Sequence, residues 1–193
     1  MIGYLPRDLN INGTNRAIRS DFRTALLIFQ AFNDPELIED DNMHEKSITM
    51  LQCLYEDYES IPPDDILEAL KMASWFLDGG STSAKDSKHQ QAKKVMDWEQ
   101  DEQLIFSAVN KVAGYETRAV DYLHWWTFLG YFNEIGEGLF TTVINIRQKK
   151  NKRKKLEKHE EEFYKENRHL IDIKVRYTPE EQAEIDRLNK LLQ

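Results

Sequence analysis

Residues 121–135 read Asp-Tyr-Leu-His-Trp-Trp-Thr-Phe-Leu-Gly-Tyr-Phe-Asn-Glu-Ile, and nine of these fifteen side chains are large and apolar or aromatic. As a helix, the segment places His124, Thr127 and Glu134 on one narrow polar stripe and apolar side chains over most of the rest. A helix that is apolar on nearly every side is buried in a core or covered by a partner. We therefore expect residues 121–135 to form the centre of the fold and not a catalytic site.

The same helix supplies the first candidates for contact with another protein. Tryptophan and tyrosine dominate the energetics of protein interfaces, so part of this aromatic surface can face a partner instead of the core. Stacking on nucleic-acid bases is disfavoured, because such platforms interleave aromatic residues with Lys or Arg and residues 119–146 contain neither. The candidate partner-binding side chains of this helix are Trp125, Trp126, Phe128 and Phe132.

The composition is that of a helical globular protein. The chain has 193 residues, of which 40% are apolar and 31% are charged, with only 8 Gly and 5 Pro. No stretch approaches the about 18 to 20 uninterrupted apolar residues that a membrane span needs, and residues 1–8 lack the apolar run of a signal peptide. The single cysteine, Cys53, can form no internal disulfide, which favours a reducing cytoplasm.

Apolar spacing and turn residues predict a mainly α protein, a single helical bundle with a small N-terminal β-hairpin. Asn12-Gly13 is a strong hairpin signal and predicts a hairpin over residues 8–19, with Ser20 or Asp21 capping the helix that follows. Another helix begins after Pro62-Pro63 and ends at Gly79-Gly80. Helical periodicity predicts the other core helices over residues 22–33, 43–58, 99–113 and 121–135, and from 136–138 onward, and a polar loop over 80–93.

We expect the chain to divide into a core domain over residues 1–147 and a helix–strand–helix extension over 148–193. Apolar side chains become sparse after residue 146, which predicts a charged helix that leaves the globule. Residues 171–177 alternate between apolar and polar, the period of a half-buried strand. Residues 178–181, Thr-Pro-Glu-Glu, then form a capping box that opens a last helix. Its narrow apolar stripe must dock on something, which adds the partner-binding candidates Ile185, Leu188 and Leu192.

Charge is unevenly distributed along the chain. The net charge of −8 comes from residues 1–100, which hold 10 Lys and Arg against 18 Asp and Glu, and this acidity disfavours general nucleic-acid binding. Residues 147–158 instead hold eight basic side chains in twelve positions. Such a run has three interpretations: a solvated helix whose charge is balanced by nearby glutamates, a contact for an acidic protein partner, or a nucleic-acid contact. For a protein partner, the contacting side chains are Lys149, Lys150 and Lys154.

No residue pattern indicates catalysis, a metal or a cofactor. The five histidines lie 10 to 45 residues apart and there is no second cysteine, so the usual zinc spacings fail. Cys53 lies on an apolar helix and is interpreted as an inert core thiol. The acidic residues of 98–102 are interpreted as the start of a helix whose dipole they stabilise, and His124 as a hydrogen-bonded core histidine. We therefore expect a protein that is not an enzyme and needs no cofactor.

Five short motifs occur in an order that resembles a known family. They are Ser-Asp-Phe-Arg (20–23), Trp-Phe-Leu-Asp-Gly-Gly (75–80), Trp-Glu-Gln-Asp (98–101), Leu-His-Trp-Trp-Thr-Phe-Leu (123–129) and Ile-Asn-Ile-Arg (144–147). Together they resemble the "gp fifteen" family, encoded in the tail-gene module of long-tailed bacteriophages (siphoviruses) of Gram-positive hosts. The resemblance covers about residues 5–150.

The resemblance implies a tail assembly chaperone that works in the host cytoplasm without catalytic residues. The implied partner is the tape-measure protein, whose long helix such chaperones keep soluble while tail-tube subunits assemble. The major tail protein, a homologous chaperone and a second copy of the chain are further candidate partners, and no membrane contact is expected. The alternative is a structural component of the virion, or a nucleic-acid-binding module that uses the basic 147–158 helix.

Overall fold

The computed structural model describes residues 3–34, 43–81 and 94–191. Most of the loop predicted over 80–93, and the candidate partner-binding residue Leu192, lie outside these ranges. Within them, none of the helices has the length and apolar character needed to cross a bilayer.

The protein is mainly α with a small N-terminal β-hairpin, which confirms the predicted fold class. Its two strands, β1 (Asp8–Ile11) and β2 (Thr14–Ala17), pair antiparallel. The larger helices are α1 (Phe22–Phe32), α2 (Met43–Leu54), α3 (Ile66–Leu77), α4 (Glu102–Ala113), α5 (Trp125–Asn133) and α6 (Leu139–Asn151). The C-terminal part forms α7 (Lys158–Glu166), α8 (Arg168–Ile171) and α9 (Pro179–Leu191).

The hairpin forms where the sequence predicts it. Asn12 and Gly13 both have positive φ, at 46° and 92°, as a two-residue turn between right-twisted strands requires. Its apolar side chains Leu9 and Ile11, and Ile18 just after it, all lie in the main core. The hairpin therefore closes one side of the helical bundle.

The aromatic segment forms the centre of the core, as predicted, but its helix begins later than expected. Residues 121–124 are not helical: Leu123 O accepts a hydrogen bond from Phe22 N at 2.9 Å, and Trp125 N donates to Ser20 O at 2.8 Å. The helix starts only at Trp125, because the backbone before it is paired with the chain that enters α1. Asp21, one of the two predicted capping residues, caps α1.

Aromatic packing explains why α5 is buried. The Phe128 ring stacks on Phe22 with centroids 4.8 Å apart and an interplanar angle of 2°. Trp125 is 1% exposed, and its indole N–H donates to the carbonyl of Leu77 at 3.0 Å. A buried indole usually finds such a partner, because its N–H would otherwise be desolvated without compensation. These contacts tie α5 to α1 and α3.

The prediction that a charged helix leaves the globule after residue 146 is wrong. Helix α6 continues to Asn151 and ends there, and the chain then turns back through α7 and α8. Ile171 at the end of α8 packs with Val143 and Ile146 in a second small apolar cluster. The expected boundary between residues 147 and 148 falls inside α6.

The strand predicted over residues 171–177 is also wrong. Ile171 is the last residue of α8, and residues 173–178 belong to no helix or strand. Side chains hold this backbone: Lys174 N donates to Gln100 Oε1 at 2.9 Å, and Gln100 Nε2 donates to Asp172 O at 3.0 Å. Alternating polarity here accompanies a segment that side chains hold outside any sheet.

Candidate protein-binding surface

His124 and the acidic residues of 98–102, which sequence analysis considered as catalytic candidates, make hydrogen bonds to different structural partners. His124 Nδ1 accepts from Trp126 N at 3.0 Å, and Nε2 lies 2.9 Å from Pro6 O. Because a carbonyl oxygen only accepts, Nε2 carries the proton and the ring is neutral. Asp101 is bonded to Arg147 instead. Among the residues with described positions, no three His, Cys, Asp or Glu side chains gather as a metal site requires.

His124 is thus a hydrogen-bonded core histidine, as predicted. Burial lowers the pKa of His124, and nearby Arg7 lowers it further, while the hydrogen bond to Pro6 acts in the opposite direction. A proton added to Nδ1 would face the Trp126 N–H, so two donors would meet. The charged form is therefore disfavoured in the folded state.

Lowering the pH through about 6.5, the ordinary pKa of histidine, should reduce stability through His124. As the pH is lowered, His124 is protonated in the unfolded chain before it is protonated in the folded protein. The free energy of unfolding therefore decreases as the pH decreases, by at most about 1.4 kcal/mol per pH unit. His124→Asn keeps an acceptor for the Trp126 N–H but does not titrate. Urea unfolding followed by tryptophan fluorescence should show the extra pH dependence in the unchanged protein alone. Equal pH dependence in both proteins would contradict this role for His124.

The acidic residues near the start of α4 include a buried ion pair that sequence analysis missed. Asp101 is 1% exposed and accepts from both terminal nitrogens of Arg147, at 2.5 and 2.8 Å. Asp101 occupies the N-cap position of α4, as the predicted helix start implies, but its side chain makes no capping bond to that helix. Glu102 does lie in the first turn of that helix. Because Asp101 and Arg147 lie 46 positions apart in the sequence, no local sequence pattern predicts this ion pair.

Asp97 is the second buried carboxylate of this region and holds the C-terminal segment. It accepts from the backbone N–H of Glu99 and Gln100 and from Arg176 Nη2, the last at 2.8 Å. Burial acts to raise the pKa of Asp97, but the hydrogen bonds from Gln100 and Lys94 and the nearby positive charges lower it overall. Arg176 also pairs with Glu99 at 2.8 Å. Two carboxylates therefore fix the chain just before α9.

The basic run 147–158 is divided by the structure and is not one helix. Lys149 donates to Glu160 at 2.6 Å, and this bond raises the pKa of Lys149. Lys150 donates to Asp172 at 2.5 Å and lies 3.7 Å from the centre of the Tyr164 ring. Both side chains are thus engaged within the protein, while Lys154 is exposed in the loop after α6. Of the three candidate lysines, Lys154 is the one most open to a partner.

Residues 173–191, here called the C-terminal arm, expose apolar side chains to solvent. The capping box predicted at the start of α9 is confirmed: Glu181 N donates to Thr178 Oγ1 at 3.1 Å, and Thr178 N donates to Glu181 Oε2 at 2.9 Å. None of the described residues of α9 is buried. Ile185 is half-buried and Leu188 is 50% exposed. Three further apolar side chains of the arm are exposed: Val175, Tyr177 and Leu191.

An apolar groove of about 470 Å³ lies between α1 and α4, and we call it the α1–α4 groove. Its apolar lining includes Phe22, Leu26, Leu27, Trp98, Ile105 and Phe106. Leu27 is 59% exposed, although it lies on a core helix. Sequence analysis did not identify the groove. The one local signal is the pair Leu26-Leu27, because adjacent helical residues point in different directions and only one of them can face the core.

The four aromatic candidates of α5 do not form a surface together. Trp125 and Phe128 are buried in the core, so a partner cannot reach them in this conformation, and these two assignments are corrected. Trp126 is half-buried and donates to the carbonyl of Phe76 at 2.8 Å. Phe132 is half-buried against Trp98, with ring centroids 5.2 Å apart. The described candidates that remain most accessible are therefore Lys154 and, in the C-terminal arm, Leu188 and the half-buried Ile185.

Comparison with known proteins gives one family. The family model described as "Bacteriophage Gp15 protein" matches residues 1–173. No curated protein and no solved structure matches the chain. The matched residues end where the C-terminal arm begins.

Proposed function

Since the chain belongs to the Bacteriophage Gp15 protein family, we propose that it is a tail assembly chaperone that binds the tape-measure protein in the host cytoplasm. It acts by contact and not by catalysis, and it needs no cofactor. Tail-tube subunits are secondary partners. The resemblance noted in the sequence motivates the choice of partner.

The observation that carries this proposal is the exposed apolar side of the C-terminal arm. A protein of net charge −8 is strongly solvated, yet Leu188 and Leu191 of α9 are exposed on the same helix as the half-buried Ile185. An amphipathic helix of this kind binds by laying its apolar side against another apolar surface. A long helical client offers such a surface along its length. The arm is held at its base by Arg176, so it is presented outward from a fixed point.

Co-expression with the cognate tape-measure protein tests the proposal. We expect the unchanged chain to increase the soluble fraction of that protein and to elute with it in gel filtration. Leu188→Asp should weaken the complex by about tenfold or more, because a charge would enter the apolar contact. Leu67→Asp is the matched control, since Leu67 is 79% exposed on α3 and belongs to neither the arm nor the groove. Unchanged client solubility with no complex would refute the chaperone role.

The second candidate function is that of a structural component of the virion, and the exposed basic loop supports it. Residues 152–155, Lys-Arg-Lys-Lys, are exposed beyond the end of α6, where they can meet nucleic acid or an acidic protein. Mass spectrometry of purified virions distinguishes the candidates, because a chaperone leaves the finished particle. A DNA-binding assay at several salt concentrations, with Lys152 and Lys154 changed to Glu, tests the nucleic-acid version.

A further inference from the structure

We propose that residues 97–100, in the turn before α4, form a binding site for a non-helical peptide segment that carries an arginine, and that the chain's own residues 172–176 fill this site. We call residues 97–100 the peptide clamp. A segment of another protein with the same chemistry competes for the clamp and frees the base of the C-terminal arm. The inference goes beyond tape-measure binding and does not depend on which protein is the client.

The clamp contacts the peptide backbone through the carboxamide of Gln100. Its Nε2 donates to the carbonyl of Asp172 at 3.0 Å, and its Oε1 accepts from the backbone N–H of Lys174 at 2.9 Å. These two backbone groups flank Ile173. They are free to bind a side chain only outside a helix, because a helical N–H is bonded to the carbonyl four residues earlier. Gln100 therefore selects a non-helical segment, whatever side chains that segment carries.

The two carboxylates of the clamp select an arginine. Arg176 Nη2 donates to Asp97 Oδ1 at 2.8 Å, and Arg176 Nη1 lies 2.8 Å from Glu99 Oε2. A guanidinium is always charged and carries five N–H donors in a fixed planar fork, so it can bind two carboxylates at once. Hydrogen bonds to the main chain thus hold the segment, and the acidic pair identifies one of its side chains, as in other peptide-recognition sites.

The clamp is held in place by the body of the protein and not by the arm. Asp97 is 2% exposed, and its Oδ1 accepts from the backbone N–H groups of Glu99 and Gln100. Its Oδ2 accepts from Lys94 Nζ at 2.6 Å, and its backbone N–H donates to the buried Asp101 at 2.9 Å. These contacts remain when the arm leaves. The carboxylate that receives the arginine is therefore positioned before any segment binds.

The segment that fills the clamp is held less firmly than the clamp itself. Val175 is 70% exposed and Tyr177 is 43% exposed, so these two side chains gain little from burial. The Glu99 side chain is 52% exposed, which leaves its ion pair with Arg176 partly solvated. Exposed ion pairs contribute little free energy. Another segment can therefore replace this one without unfolding the body of the protein.

The family match separates the clamp from the arginine that it binds. The matched residues, 1–173, include the whole clamp, whereas Lys174 and Arg176 lie beyond them. The clamp thus belongs to the part of the chain that the family model describes, and the arginine belongs to the C-terminal arm. Such a division is expected for a site whose ligand can also come from another protein.

A peptide-binding assay on the full-length protein tests the proposal. Lys174→Pro combined with Arg176→Ala removes the N–H and the guanidinium that fill the clamp, and gives an open variant. The probe is a fluorescently labelled synthetic peptide with the sequence of residues 171–178, and anisotropy measures its binding. We expect the open variant to bind with a dissociation constant below about 1 mM, because the internal segment fills the clamp at an effective concentration of that order. The unchanged protein should bind about tenfold more weakly, because its clamp is already occupied.

Two changes identify the groups that bind the peptide. Replacing the arginine of the peptide with alanine, or adding Gln100→Ala to the open variant, should each weaken binding by about tenfold. Gln103→Ala in the open variant is the matched control, since Gln103 is exposed on α4 outside the clamp, and it should leave binding unchanged. Equal effects of Gln100→Ala and Gln103→Ala would contradict recognition of the backbone by Gln100.

Hydrogen exchange provides a second measurement, on the protein without substitutions. An excess of the peptide should speed exchange of the Lys174 amide, because the peptide takes its place at Gln100 Oε1. The proposal is overturned if the folded open variant binds no peptide up to about 1 mM, or if saturating peptide leaves exchange at Lys174 unchanged. Circular dichroism verifies that the open variant is folded. Neither result affects the proposed chaperone role, which is measured by the solubility of the tape-measure protein.

Discussion

Replacing Arg147 with methionine should destabilise the fold by about 3–5 kcal/mol, the cost of removing one partner of a buried ion pair. The Arg147 side chain is 3% exposed and binds both oxygens of Asp101. It also donates to the carbonyls of Val95, Leu170 and Ile171. The variant leaves a buried carboxylate without its counter-charge and three carbonyls without their donor. Denaturant unfolding followed by circular dichroism measures the loss.

Two controls separate the buried ion pair from a general loss of charge. Lys71→Met removes an exposed pair with Glu68 on α3 and should cost at most about 1 kcal/mol. Adding Asp101→Asn to Arg147→Met removes the stranded charge while keeping an acceptor for Asp97 N, so it should recover part of the loss. If Arg147→Met and Lys71→Met cost the same, Arg147 does not hold α6, α8 and residues 95–101 together.

Gly80→Ala should destabilise the protein by about 2–5 kcal/mol. Gly80 has a φ of +81°, a conformation that costs an L-residue about 1–2 kcal/mol. An added Cβ would also lie 2.8 Å from Cη2 of Trp126, and overpacking of this kind costs about 1–3 kcal/mol. Trp126 cannot easily move away, because its indole N–H is bonded to the carbonyl of Phe76. Thermal unfolding, with near-ultraviolet circular dichroism of the tryptophans, measures both the loss and the displacement.

Gly114→Ala is the matched control for Gly80→Ala. Gly114 has nearly the same backbone conformation, with φ +79°, but nothing lies within 4 Å of an added Cβ. It should show only the backbone cost of about 1–2 kcal/mol. The difference between the variants then reports the contact with Trp126. Equal losses would show that Trp126 yields and that the close approach of Gly80 carries no stability.

The sequence alone predicts those parts of the fold that depend on neighbouring residues. The Asn12-Gly13 turn, the capping box of α9 and the buried character of the aromatic helix are all found in the structure. Each depends on hydrogen bonds or apolar spacing within a few residues, which a local pattern records directly. The burial of His124 is predicted for the same reason, since its apolar neighbours are local information, although His124 caps α5 and does not lie within that helix.

The predictions that are wrong concern segments whose hydrogen-bonding groups find their partners far away in the sequence. Helix α5 starts at Trp125 and not at residue 121 as predicted, because residues 121–124 pair with the backbone around Ser20. The alternating residues 171–177 are held by Gln100 and Asp97 instead of a neighbouring strand. Polarity patterns show which side chains prefer burial, but they do not show which distant group provides the partner.

Composition and local spacing by themselves determined a mainly helical protein with an aromatic centre and an amphipathic last helix. Only the tertiary structure decided which apolar surfaces remain exposed. Trp125 and Phe128 were removed from the candidate surface by packing, while Leu27 and Leu188 were left in solvent. The physical reason is that burial is a property of the assembled helices: a helix presents an apolar side on its own, but the positions of the others decide whether that side is covered.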